Sequence, residues 1–170
     1  MTRSSRCSLS ILTVVIMLAV FATVPAARAK LPEDQIKSAG AIELTTDLVD
    51  KMDTVAKAVR ADDAARTEFA GVKETDMDAS VAAIKSKCPK TMEHFKAAEI
   101  TPDELMKGVG AMLACFMDEK GELASSDNET AKANAEFVKE NKDRCDKVGG
   151  EVMAMSMDPS ITDLDHAKKP

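Results

Sequence analysis

Tryptophan and tyrosine are absent from this chain, and only five phenylalanines stand among its 170 residues. Platforms on which a base or a sugar ring could stack are therefore scarce. Histidine is almost missing as well, with His94 and His166 the only two. No Cys-x-x-Cys-His occurs, so covalent haem attachment is not indicated. Cys88 and His94 do not have the spacing of a zinc site. Nothing in the spacing sets His94 against a reactive thiol, so no catalytic constellation is legible, and the expectation is a protein that is not an enzyme and carries no cofactor. Internal repeats and low-complexity linkers are also lacking. The remaining composition, rich in Ala, Met, Lys and Glu, points to an all-α fold.

Residues 1–29 read as a secretory signal peptide. Arg3 and Arg6 make a basic start, Leu9 to Phe21 is mostly apolar, and Ala27-Arg28-Ala29 supplies a small-residue cleavage site. The apolar run falls short of the roughly 20 residues that span a bilayer. The arginines are not adjacent, so the twin-arginine route is not indicated, and Cys7 precedes the apolar run rather than following it. No other segment is apolar enough to cross a membrane. Without Arg3, Arg6 and Arg28 the rest of the chain has 20 basic and 29 acidic side chains, a net charge of −9. Such a balance disfavours nucleic acid and anionic membrane surfaces as partners. The expected location is the periplasm or beyond the cell.

The stretch from Thr101 to Val148 organises the rest as a helical hairpin. Thr101 and Glu104 form a capping box, with Pro102 at the first helical position, where its missing N–H costs nothing. Leu105, Met106, Val109, Met112, Leu113, Phe116 and Met117 then recur at helical spacing. Gly108 and Gly110 cost about 1 kcal/mol each relative to Ala in such a helix, which points to close approach of a neighbour or to a kink. Gly121 stands where the helix would stop. Ser126 and Glu129 suggest a second capping box, opening a helix that faces inward with Ala131, Asn134, Phe137, Val138, Asn141, Cys145 and Val148 and ends at Gly149-Gly150. Asparagines on an inward face must find hydrogen-bond partners if buried.

Ahead of the hairpin, residues 30–42 read as a flexible lead-in. Glu43 to Arg60 reads as the first core helix, capped at Thr45 or Thr46. Asp62 to Thr75 is a frayed helix or a loop around Phe69, and Asp76 to Lys87 is a helix broken at Cys88-Pro89. A short helix restarts at Pro89, with His94 toward solvent. The helical domain as a whole covers residues 43–157, and residues 158–170 read as a flexible tail. The architecture expected is all-α, a small bundle of four to six helices built around the hairpin. The loop from Asp118 resembles a calcium loop but has Leu123 where the sixth-position glycine belongs, so it reads as a polar turn.

Ile100-Thr101-Pro102-Asp103-Glu104, then GAMLA, then NAEF followed by basic residues, resembles a family of uncharacterised bacterial secreted helical proteins. In that family a Leu-Thr-Pro-like element opens a core helix, and an Asn-x-x-Phe element, here Asn134 to Phe137, marks the next. The likeness runs from Leu44 to Val148. It implies the helical fold and export, and no catalytic residues. The three cysteines beyond residue 29 and the methionines after Gly150 depart from it.

Those cysteines are Cys88, Cys115 and Cys145. In an oxidising compartment two of them are expected to pair. If the chain reverses near Thr101-Pro102, Cys88 and Cys115 lie side by side, which leaves Cys145 free. Cys88–Cys145 is the alternative, and Cys115 as a simple buried hydrophobe is the plainer reading. A Cys88–Cys115 bridge would contribute roughly 3–4 kcal/mol in the chain-entropy model. Met153, Met155 and Met157 carry a different possibility. Three thioethers suit Cu(I), and in an extended segment all three share a face, whereas on a helix Met155 points away from the other two. The plainer reading is flexible filler at the end of the bundle.

The leading reading is thus an exported, non-enzymatic interaction or structural module of the cell envelope with an unidentified envelope protein as partner. The alternative is a periplasmic small-ligand or Cu(I)-binding protein. The cleavage site predicts that the exported protein begins at Lys30. Intact-mass measurement of the exported species checks this, and a retained N-terminus would refute it.

Overall fold

A computed structural model describes residues 32–74 and 76–157. The expected signal peptide, its cleavage site, His166 and the expected tail lie outside these residues. The described part is all-α, with no strand. It contains eight α-helices and a 3₁₀ turn at Glu122–Ser125 rather than the four to six helices expected. The helices are α1 (Glu33–Ala39), α2 (Thr46–Ala61), α3 (Asp63–Ala70), α4 (Met77–Lys87), α5 (Pro89–Ala97), α6 (Pro102–Phe116), α7 (Glu129–Glu140) and α8 (Lys142–Met155).

Three places account for the larger number. Residues 33–39 are helical instead of forming a loose lead-in. Acidic Glu33 and Asp34 open α1, Lys37 lies in its last turn, and Ala39 is buried. Seven residues cannot hold a helix alone. Contact with α6 sustains it, including a hydrogen bond from Gln35 Nε2 to the Ala114 carbonyl (3.0 Å). Asp62 caps a definite α3, its carboxylate accepting from the amides of Ala64 and Ala65. Finally, the single helix expected across Asp127–Val148 is two. Asn141 leaves the helical region (φ −115°, ψ 30°), and its side-chain amide donates to the Phe137 carbonyl (2.9 Å). Asn128, not Ser126, caps α7, and α8 continues through Gly149 and Gly150.

The frame is α2. Leu48, Val49, Met52, Val55, Ala56 and Val59 are all buried, on the stripe that the sequence periodicity marks. Helix α8 runs parallel to it, with Arg144 paired to Asp50 near one end and Arg60 to Glu151 at the other. Helix α6 crosses the same stripe at Gly108. A Cβ there would lie 2.7 Å from Met52 Sδ, so any larger residue would force the buried Met52 side chain to shift. The capping box at Thr101 forms as expected. A second, smaller cluster of Ala39, Ala114, Leu123 and Ala131 joins α1, α6 and α7 beside the main core.

One buried side chain holds these layers in register. Asn134, fully buried on α7, accepts from the Leu44 amide (2.7 Å) and donates to the carbonyls of Ala39 (2.6 Å) and Ile42 (2.7 Å). Its carboxamide thereby replaces the secondary-structure partners missing between α1 and α2. Replacing Asn134 with Leu leaves three backbone groups unpaired, at about 1–3 kcal/mol each. Urea unfolding of Asn134→Leu is expected to lose at least about 3 kcal/mol by the same reasoning. A loss below about 1 kcal/mol would mean that water or backbone rearrangement takes over all three bonds.

Candidate functional site

Helix α6 has two apolar sides. Leu105, Gly108, Ala111 and Met112 face the core. Met106, Gly110, Leu113 and Met117 recur on the other side at helical spacing, with Leu113 56 % exposed and Met117 42 % exposed. Met77, at the start of α4, lies alongside and is 39 % exposed. Gly110 sits in the middle of this strip. A Cβ there would meet only Met77 Cε, at 3.8 Å, among the described residues. Internal packing thus explains Gly108 but not Gly110, whose helical position costs about 1 kcal/mol relative to Ala. The strip is therefore a ridge of large apolar side chains with a notch in it, open to solvent. The ion pair Lys107–Asp103 (2.8 Å) borders it.

The α3–α5 seam collects the polar chemistry that sequence spacing does not reveal. Glu68 reaches from α3 to the start of α5, where its carboxylate accepts from the amides of Lys90 (2.9 Å) and Thr91 (3.1 Å). It serves as a cap supplied by another helix. Thr91 is fully buried and donates its hydroxyl to the Ala65 carbonyl (2.8 Å). His94, expected to face solvent, instead meets the Asp62 carboxylate through Nε2 at 3.0 Å. The hydrogen bond from His94, aided by the amide of Ala65, holds the Asp62 carboxyl below the usual carboxylate range. The arrangement is a His–Asp pair used for capping, since the neighbouring hydroxyl is already committed to a backbone carbonyl.

The three thiols are free, and the expected Cys88–Cys115 bridge is not formed. Their placement explains why. An open groove of about 520 Å³ has Lys85, Pro89 and Met92 on one side and Thr101 and Pro102 on the other. Cys88 therefore sits by the first turn of α6, whereas Cys115 lies in its last turn. That separation is roughly 20 Å at about 1.5 Å per residue, far beyond the Cα spacing of about 7 Å that a disulfide tolerates. The chain does not simply reverse at Thr101: α4, not α5, is the helix that lies against α6, with Met77 beside Gly110, and α5 packs against α2, α3 and α4 instead. Cys88 is buried and donates to the Glu68 carbonyl (3.5 Å). Burial raises the pKa of all three thiols. Cys115 is pushed up to about 12 by burial, with Asp118 and Cys145 adding to the effect. None is poised as a nucleophile at neutral pH.

Nor do the three methionines converge. Helix α8 continues to Met155, which is fully buried, while Met153 and Met157 are exposed. The extended arrangement that would bring their sulfurs to one face is not adopted. Asp118 accepts from the amides of Glu122 (2.8 Å) and Leu123 (2.9 Å), so its carboxylate organises the 3₁₀ turn. Among the described residues no group of three or more His, Cys, Asp or Glu side chains is placed to hold a metal ion. No described helix is long and apolar enough to cross a membrane.

A depressed carboxylate stabilises the fold above the ordinary aspartate range and loses that contribution as pH falls through its own lowered pKa. Asp62→Asn should therefore melt below the parent protein at neutral pH, with the gap closing in acid below about pH 4. Thermal melts of both proteins across that range check it; a gap that stays constant into acid would refute the role of the charge. In comparisons with known proteins, no family model, no curated protein and no solved structure matches this chain.

Proposed function

We propose that this protein is an exported, non-enzymatic interaction module of the cell envelope, acting in the periplasm or beyond it, and that it binds a partner protein through the exposed side of α6. The observation that carries this reading is the notched apolar strip of Met77, Gly110, Leu113 and Met117. Large apolar side chains grouped on a surface mark an interaction site more often than isolated ones do. Methionine is suited to such a surface because its unbranched thioether adapts to different shapes. A glycine unused by internal packing admits the backbone or a bulky side chain of a partner. The shape fits an amphipathic helix that lays its apolar side along the strip.

The acidic chain supports a protein partner over nucleic acid or an anionic bilayer. Export is supported by the sequence of residues 1–29, with its basic start, apolar run and small-residue cleavage site. The Cu(I)-binding alternative has no comparable support, because Met155 is occupied in the core.

A photo-crosslinking residue placed at Leu113 should capture one envelope protein in whole cells, and the same residue at exposed Glu119 should not. Leu113→Asp should abolish a Met117-based crosslink while changing stability by less than about 1 kcal/mol, as expected for a surface position. Equal capture at both positions, or capture of a second copy of this chain alone, would overturn the proposal.

A further inference from the structure

The cysteines left apart from Cys88 are close enough to matter to each other. Gly108 of α6 rests against Leu48 and Met52 of α2. Arg144 in the first turn of α8 pairs with Asp50, on that same stretch of α2. The start of α8 and α6 therefore meet on the same stretch of α2, and the two helices pack directly. Cys145 follows Arg144 and is fully buried, so it faces the interior rather than the surface. Cys115 lies two turns beyond Gly108 on the same side of α6. It packs against the core cluster that contains Cys145.

We propose that Cys115 and Cys145 are the pair that joins on oxidation, tying the last turn of α6 to the first turn of α8. The electrostatic influence of Cys145 on the Cys115 thiol agrees with this proximity. Cys88 is held elsewhere by its bond to the Glu68 carbonyl. The oxidant is a disulfide, either of a small thiol or of an oxidoreductase. One protein thiolate attacks it and expels one thiolate. The other protein thiolate then attacks the mixed disulfide and expels the second. The two protein thiols give up two protons and two electrons, and the oxidant leaves as two thiols.

Burial makes the thiolate scarce in the finished fold, so exchange there is slow. The bond is made while the chain folds and is afterwards enclosed. An oxidising compartment, which the export reading would supply, favours it, but the chemistry needs only the oxidant and can be tested apart from export.

The test refolds the full chain, carrying Cys7→Ser, in mixed oxidised and reduced glutathione, followed by alkylation and non-reducing peptide mapping. The expected map links Cys115 to Cys145 and leaves Cys88 alkylated. The bridged protein should melt several degrees above its reduced form. Cys88→Ser should form the same bridge, and Cys115→Ser should form none. A dominant link through Cys88, or native helicity with all three cysteines alkylated, would overturn the proposal. If Cys115→Ser fails to fold, the maps of the Cys7→Ser and Cys88→Ser proteins decide.

Discussion

The carboxamide of Asn134 is the constraint on which the rest of this bundle depends. The chain between α1 and α2 leaves the Leu44 amide and the Ala39 and Ile42 carbonyls to be paired by a side chain from another helix. Asn134 supplies one acceptor and two donors at the three points where they are needed, between 2.6 and 2.7 Å. A buried polar group of this kind is tolerable only when fully paired. Once paired, it permits little variation, because a displaced α7 would leave all three backbone groups unsatisfied. Gly40 belongs to the same junction. A Cβ there would collide with the Asn128 carboxamide that caps α7. The entry into α2 and the start of α7 are thus specified together.

Helix α6 then serves two environments. Its inner glycine lets α2 approach to the thickness of a methionine sulfur. Its outer glycine interrupts a strip of exposed Leu and Met side chains that nothing within the described chain covers. The same residue type thus has an intramolecular reason in one place and lacks one two residues later. That difference, rather than any catalytic geometry, directs the functional reading toward association.

The α3–α5 seam illustrates a second strategy. Short helices expose a large share of unpaired backbone groups for the apolar area they bury. Here the deficit is met from across the seam. Glu68 caps α5, Asp62 caps its own helix and receives His94, and Thr91 returns a hydrogen bond to Ala65. Two helices of eight and nine residues become a cooperative pair.

Local physics made much of the fold legible in the sequence. The stripe from Leu48 to Val59 has helical period, Thr101 and Glu104 carry a capping box, and Pro89 breaks the chain where the residue before it resists helix. Each acts over a few residues, so each is visible without the fold. The all-α character follows from the same local preferences. The helix number, the cysteine geometry and the surroundings of His94 were decided only by tertiary structure. Helix α1 is too short to persist without α6, and the break at Asn141 coincides with a side chain hydrogen-bonded to its own backbone. Cys88 and Cys115 part because α4 rather than α5 pairs with α6, with Met77 beside Gly110, so Cys88 follows the end of α4 instead of facing the last turn of α6. Asp62 and His94 stand 32 residues apart in sequence, and no local pattern encodes a contact at that range. It arises because α3 packs against α5, which sets the last turn of α5 beside the residue that caps α3.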